Sequence, residues 1–149
     1  LQSNKAGKAI DLFDAIDSID SVKLARRLSM LMAETDSNYE SLLQVNTGQD
    51  SAKHGFHPEN LETLLEALEL KNLGVKGLMT IGVFTSDETT TRKTFQKLRQ
   101  IKERLNRHLP EEDQLIELSM GMSSDYEIAV EEGATMLRIG TALFGEREQ

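Results

Sequence analysis

The chain has 149 residues, with 38% hydrophobic residues, no Cys, no Trp and a formal net charge of −8. That charge argues against non-specific nucleic-acid binding, which needs Lys and Arg to neutralise phosphates, and the lack of Cys excludes disulfides and zinc–thiolate sites. No apolar run approaches the length of a membrane span and no signal-peptide pattern is recognisable, so we expect one cytoplasmic domain over residues 1–149.

Short apolar runs that favour strands alternate with longer segments of helical periodicity from the start of the chain. The first predicted strand spans residues 15–19, and Ser21 is placed to cap the helix that follows it. A second strand is predicted over residues 42–46, and a polar loop over residues 48–57 leads into the next helix. Pro58 suits the first turn of that helix, which we expect to continue to about Lys71.

The second half of the chain continues this alternation. Its predicted elements are a strand over 75–81, a helix from Ser86–Asp87 to about His108, a strand over 115–120, a helix over 124–132, a strand over 135–139 and a short helical turn over 141–144. Because strands and helices alternate strictly, the sequence predicts an α/β fold with a parallel sheet built of right-handed β-α-β units.

Positive charge is concentrated on the longest predicted helix. Residues 85–107 contain seven Lys or Arg and three acidic residues, so this segment carries +4 and the rest of the chain −12. We interpret it as a solvated outer face, interleaved with an apolar stripe that packs against the sheet. A docking surface for a partner is the alternative interpretation.

Glycines and hydroxyl side chains follow the fourth and fifth predicted strands. Gly121 allows a close turn of the backbone, Ser123 or Ser124 can cap the next helix, and Gly140–Thr141 repeats this arrangement one strand later. Ligands of parallel α/β proteins bind at the carboxyl ends of the strands, and free N–H groups there attract phosphate. On spacing alone the pattern favours two ordinary helix caps, with a phosphate site as the alternative.

Arg138 is the single basic residue between Pro110 and Gly145, and its neighbours in the predicted strand are apolar. A buried guanidinium without a partner is costly, so Arg138 must find one. An ion pair with Glu117 on the neighbouring strand is one interpretation. Presentation of the cation to a ligand is the other.

Other patterns give no candidate for catalysis or for metal binding. Asp11, Asp14, Asp17 and Asp20 recur at every third position, but the segment is partly a strand, so they do not share a face. No His is placed with a Ser and an Asp as in a hydrolytic triad. We therefore predict no catalytic residues and no metal site.

Several stretches resemble the pyridoxal phosphate homeostasis proteins (the YggS/PROSC type), which are relatives of the alanine racemase barrel. The stretches lie in the family's order along the whole chain: Leu1–Lys5, Gln44–Asn46 with Lys53–Gly55, Gly77–Thr80, Leu118–Asp125 and Met136–Gly145. The resemblance implies a parallel (β/α) barrel of the alanine racemase type, here a partial barrel that lacks the first strands. It also implies a protein that binds pyridoxal 5′-phosphate (PLP) and supplies or buffers it without catalytic turnover.

The family pattern also assigns roles to residues at the ends of the last two strands. Ser123, Gly140 and Thr141 would bind the PLP phosphate, with the backbone of Gly121–Met122 close by. Arg138 would face the pyridine nitrogen, where a cation disfavours protonation and weakens the ring as an electron sink.

Two departures from the family pattern shape the functional prediction. Racemases carry a His where this chain has Ile81, which counts against amino-acid racemisation. Nothing here matches the Schiff-base lysine that the family carries on its first strand. We therefore expect a fragment that keeps the phosphate and ring-nitrogen half of the site. The alternatives are a fragment of a racemase-like PLP enzyme and a structural remnant that binds no ligand. An incomplete barrel exposes strand edges, so we expect self-association or a companion amino-terminal fragment.

Overall fold

The computed structural model describes residues 1–35, 39–50 and 52–145. The strands within these residues are β1 Ala15–Ile19, β2 Glu40–Gln44, β3 Val75–Met79, β4 Glu117–Met122 and β5 Met136–Arg138. The α-helices are α1 Ala6–Leu12, α2 Val22–Met32, α3 Leu61–Leu68, α4 Glu88–Asn106, α5 Tyr126–Glu131 and α6 Thr141–Phe144. Single 3₁₀ turns cover Ser3–Lys5 and Glu111–Asp113.

The strands form one parallel sheet within the described residues, in the order β1-β2-β3-β4-β5. Each strand thus pairs with its predecessor in the sequence, as in a (β/α) barrel, and the sheet curls into a half-barrel. The predicted α/β partial barrel is confirmed. Strands β1 and β5 are the two edges of the sheet.

The hydrophobic core lies between the outer face of the sheet and the helices. Leu43, Leu78 and Leu118 stand side by side in the register of β2, β3 and β4, and all three are buried. Since neighbouring residues of a strand point to opposite faces, the next register row points to the inner face of the half-barrel. That row is Gln44, Met79 and Ser119. The core therefore fixes which side chains face the interior.

The predicted starts of α2 and α4 are confirmed, and the predicted start of α3 is wrong. Ser21 Oγ accepts from the N–H of Leu24, and the Asp87 carboxylate accepts from the first turn of α4. Helix α3 begins at Leu61, three residues after Pro58, because Asn60 Oδ1 caps it by accepting from Thr63 N–H at 3.3 Å. Residues 58 and 59 form a turn ahead of that cap.

Helix α1 is absent from the sequence prediction. Its buried residues are Ala6, Ala9 and Ile10, which have the three- and four-residue spacing of a helical face. Two of the three are alanines, so the apolar signal in this short segment is weak. The helix packs against α2.

Three of the six basic side chains of α4 pair with acidic residues in or next to the neighbouring helices. Lys97 Nζ lies 2.7 Å from Glu59, ahead of α3, and Arg99 lies 3.2 Å from Glu132, after α5. Arg92 contacts both Glu131 and Glu132. The apolar stripe of α4 is buried, in agreement with the interpretation of this helix as an outer face, whereas its ion pairs with acidic neighbours were not predicted.

No helix among residues 1–35, 39–50 and 52–145 is long and apolar enough to cross a bilayer. The same residues hold no cluster of three or more His, Asp or Glu placed to bind a metal ion. The four regularly spaced aspartates are divided between α1, β1 and the residues that flank β1.

Candidate functional site

Ser123 connects the turns that follow β4 and β5. Its Oγ accepts hydrogen bonds from the N–H groups of Gly140, at 3.2 Å, and Ala142, at 3.1 Å. Both donors belong to the start of α6, while Thr141 between them is exposed. Because the hydroxyl accepts both bonds, its own proton stays available for an acceptor outside this turn.

Ser123 and Ser124 do not cap the following helix, so this part of the sequence prediction is wrong. The residue ahead of α5 is Asp125, and its Oδ1 accepts from the N–H of Met122 at 2.6 Å. That hydrogen bond stays within the β4–α5 turn, whereas the Ser123 hydroxyl bonds to the start of α6. Ser124 is exposed.

Gly121 lies within β4, close to its carboxyl end, with φ of +92°. A Cβ at this position would be 2.5 Å from Cβ of Ala129 in α5. A side chain is therefore excluded by both the backbone conformation and the close approach of the helix. The bend that Gly121 permits brings Met122 and Ser123 to the edge of the half-barrel.

The Arg138 guanidinium is bound by two neutral acceptors. Its Nη1 donates to Ser119 Oγ at 2.8 Å, and its Nη2 donates to the backbone carbonyl of Thr80 at 2.7 Å. The predicted ion pair with Glu117 does not form, since the Glu117 carboxylate accepts from Thr135 Oγ1 instead. The reason is the register, which pairs Arg138 with Met122 at the carboxyl end of β4 and leaves Glu117 at the amino end.

Burial lowers the pKa of Arg138 below its usual value, while the nearby carboxylates of Asp17 and Asp125 act in the opposite direction. Because a guanidinium is a very strong base, it remains a cation at neutral pH even when burial lowers its pKa. The carboxyl edge of β5 thus carries a fixed positive charge that faces the interior of the half-barrel.

A cavity of about 660 Å³ opens beside Ser123, between the β3–α4 loop and the start of α5. It is lined by Val83–Ser86, Glu88, Thr91 and Ser123–Ile128. Arg138, Gly140 and Thr141 do not line it. Ser123 is the residue that borders both this cavity and the turn before α6.

The amino-acid sequence of the chain matches a known protein family. The family model described as "Alanine racemase, N-terminal domain" matches residues 2–148. The chain belongs to this family.

The resemblance to pyridoxal phosphate homeostasis proteins is confirmed by named relatives. The protein of that name from Vibrio cholerae is 40% identical over 149 residues, which is 99% of this chain and 62% of the relative. The one from Aquifex aeolicus is 49% identical over 108 residues, 72% of this chain and 46% of the relative. The chain therefore spans about half to three-fifths of the length of these relatives.

Solved structures of the family agree with the architecture. PipY from Synechococcus elongatus, in a structure with PLP bound, is 39% identical with a TM-score of 0.87, covering 97% of this chain and 67% of PipY. The alanine racemase of Clostridium difficile in complex with cycloserine is 13% identical with a TM-score of 0.80, covering 100% of this chain and 40% of the racemase. The racemase likeness concerns the fold alone.

Sequence reasoning missed both partners of Arg138. Ser119 lies in β4 and Thr80 directly follows β3, so their approach to Arg138 depends on strand register and on the curl of the sheet. One signal in the sequence could have indicated Ser119. Because neighbouring residues of a strand point to opposite faces, Ser119 must lie on the face opposite to the apolar Leu118.

Proposed function

We propose that this chain binds pyridoxal 5′-phosphate as a homeostasis or carrier protein without catalytic turnover. The observation that carries the proposal is the Arg138 cation, held by neutral partners at the carboxyl edge of the sheet, one strand from the Ser123 hydroxyl. The 39% identical PipY, whose structure contains PLP, supports the same assignment. We further propose that residues 1–149 act as one cofactor-binding domain, and a cytoplasmic location stays a prediction.

In this proposal the phosphate end of the cofactor lies at the β4–α5 and β5–α6 turns. Ser123 would donate its remaining proton to a phosphate oxygen, and Thr141 would offer its backbone N–H and its hydroxyl. Gly140 would lie against the phosphate, with its own N–H bonded to Ser123 Oγ. The Gly121–Met122 backbone would lie beside the phosphate. The exposed position of Gly140, with no atom within 4 Å of a Cβ built there, leaves room for the phosphate.

The ring nitrogen would face Arg138. Since Ser119 and Thr80 are uncharged, they hold the guanidinium without cancelling its charge, so it can donate to the lone pair of a pyridine nitrogen. A neighbouring cation disfavours protonation of that nitrogen. When bound, the aldehyde of PLP supplies reactivity toward amines, and this chain's residues bind and orient the group.

We propose that the covalent half of the site is lacking in this chain. Lys53 Nζ donates to the carbonyl of Gly82 at 2.7 Å, whereas Lys76 lies near the amino end of β3, opposite to the proposed site. Borohydride reduction with PLP, followed by mass analysis, should therefore give no stoichiometric pyridoxyl adduct on a single lysine. One fully modified lysine would contradict this part of the proposal.

The experiment that tests the binding site uses pyridoxine 5′-phosphate, which has the phosphate and the ring nitrogen but no aldehyde to react with surface lysines. In isothermal titration the affinity for pyridoxine 5′-phosphate should fall by about tenfold or more in Arg138→Ala and by about three- to tenfold in Ser123→Ala. Ser124→Ala is the matched control and should bind as the unaltered chain does, because Ser124 is exposed and one residue away.

The alternatives predict different results. Unchanged binding in both variants, or no binding by the unaltered chain, would favour a structural remnant without a ligand. Exchange of an amino acid's α-proton with solvent in the presence of PLP would favour a racemase-like enzyme.

We also propose that the exposed edges of the sheet pair with another chain. Strands β1 and β5 lack a neighbour on one side among the described residues. Unpaired strand edges readily accept another strand. The occupant would be a second copy of this chain or a companion amino-terminal fragment.

A further inference from the structure

Buried hydroxyl side chains lie at and behind the two acceptors of the Arg138 guanidinium. Thr80 Oγ1 donates to the carbonyl of Val45 at 2.8 Å and lies 2.9 Å from Thr47 Oγ1, so Thr47 must donate to Thr80. The Thr80 N–H donates to the carbonyl of Ser119 at 3.1 Å. Thr47, Thr80 and Ser119 are all buried.

This network fixes both acceptors of Arg138. The Thr80 carbonyl cannot turn away, because the N–H and the hydroxyl of the same residue are already bonded to β4 and to the end of β2. Ser119 is completely buried on the inner face of β4, and its Oγ receives the other Nη group. A long, flexible side chain loses its rotational freedom when both arms of its fork are bound.

We infer that Ser119 is a positioning residue for Arg138, with the Thr47–Thr80 pair holding the opposite side of the guanidinium. Ser119 orients the cation toward the interior of the half-barrel and leaves its charge intact, which a carboxylate in the same place would cancel. The inference rests on the proposed function, because it assigns the oriented cation to the ring nitrogen of the cofactor.

The test compares Ser119→Ala with Ser41→Ala. Ser41 is an equally buried serine of the same sheet, and its Oγ donates to the carbonyl of Leu73 at 2.7 Å, at the amino end of β2 and away from Arg138. Ser119→Ala should weaken pyridoxine 5′-phosphate binding by about three- to tenfold, whereas Ser41→Ala should leave it unchanged. Should Ser119→Ala fail to fold, Ser119→Cys keeps the size of the side chain with a weaker acceptor and serves in its place.

Two further measurements separate positioning from a general structural effect. The 1-deaza analogue of pyridoxine 5′-phosphate has a C–H group in place of the ring nitrogen, and Ser119→Ala should not change its binding. In an Arg138→Ala background, Ser119→Ala should have no additional effect on pyridoxine 5′-phosphate, because Ser119 acts through the arginine.

The outcomes distinguish this inference from the proposed function. If Arg138→Ala binds pyridoxine 5′-phosphate as the unaltered chain does, the proposed ring-nitrogen site is wrong and the inference fails with it. If Arg138→Ala does weaken binding, the proposed function stands and three results would overturn the role of Ser119 alone. The first is that Ser119→Ala binds pyridoxine 5′-phosphate as tightly as Ser41→Ala does. The others are that Ser119→Ala weakens binding of pyridoxine 5′-phosphate and of its 1-deaza analogue equally, or that it weakens binding further in the Arg138→Ala background.

Discussion

Gly121 shows how strongly one residue of the site depends on the packing behind it. Its φ of +92° is a conformation that residues with a side chain rarely adopt, and α5 lies directly against it. Gly121→Ala should therefore lower the free energy of unfolding by about 3 kcal/mol, from backbone strain combined with the clash against Ala129. Urea denaturation at neutral pH measures this effect.

The control for Gly121→Ala is Gly7→Ala. Gly7 lies in α1, and no atom is within 4 Å of a Cβ built there. Alanine has the higher helix propensity, so this variant should gain up to about 1 kcal/mol. Equal destabilisation of both variants would show that the close approach of α5 to Gly121 is not as described.

Arg138 illustrates what the sequence reveals about a single residue and what it does not. Isolation in an apolar strand correctly predicts that Arg138 needs a hydrogen-bonding partner, because an unpaired buried cation is costly. The choice of Ser119 and Thr80 over Glu117 depends on which end of β4 meets Arg138. That register is set by packing across the sheet and is not encoded in any local pattern.

The packing of α5 against α4 depends on the buried carboxylate of Glu132. It accepts from Arg92 at 2.9 Å, Gln96 at 3.1 Å and Arg99 at 3.2 Å. Burial by itself raises the pKa of Glu132, but the hydrogen bonds from Arg92, Gln96 and Arg99 outweigh it and hold the pKa below its usual value of 4.5. The carboxylate therefore stabilises the packing of these two helices.

Removing this charge should destabilise the chain in a pH-dependent way. Glu132→Gln should lower the free energy of unfolding at pH 7 by about 2 kcal/mol, since three donors lose a charged acceptor. A lowered folded-state pKa contributes stability that is present above pH 4.5 and is lost as the pH falls through the folded-state value. The difference between the variant and the unaltered chain should therefore shrink in acid.

Glu131→Gln is the control for this prediction. Glu131 is exposed and pairs with Arg92 alone, so its loss should change stability by less than about 0.5 kcal/mol. Unfolding curves at neutral and acidic pH for both variants provide the measurement. A Glu132→Gln effect that stays constant as the pH falls would contradict the role of its charge.

The alternation of elements was predictable because each strand and each longer helix carries its own periodicity. Strand β1 has the predicted bounds, and α4 begins where Asp87 indicates. Strand β2 begins two residues earlier than predicted and ends two residues earlier, and β4 continues through Gly121 to Met122. These ends are set by pairing with neighbouring strands, which local patterns do not reveal.

The half-barrel as a whole leaves apolar side chains along both edges of its sheet. Leu12 and Phe13 precede β1 and are 61% and 60% exposed, and Met136 and Leu137 in β5 are 38% and 40% exposed. Surfaces of this kind mark contacts with other chains. The net charge of −8 opposes association of identical chains at long range, so self-association should strengthen as salt screens the repulsion.

Replacing an apolar edge residue tests whether the sheet edge mediates this contact. The unaltered chain should show a mass above that of the monomer by light scattering at high concentration. Phe13→Lys should shift the mass toward the monomer, because a charge placed just before β1 opposes the approach of another chain to this edge. Met30→Lys is the matched control, since Met30 is 66% exposed but lies on α2. Equal effects of the two variants would assign the contact to general surface hydrophobicity. A monomer at every concentration would rule out pairing between copies and leave a companion amino-terminal fragment as the partner to test.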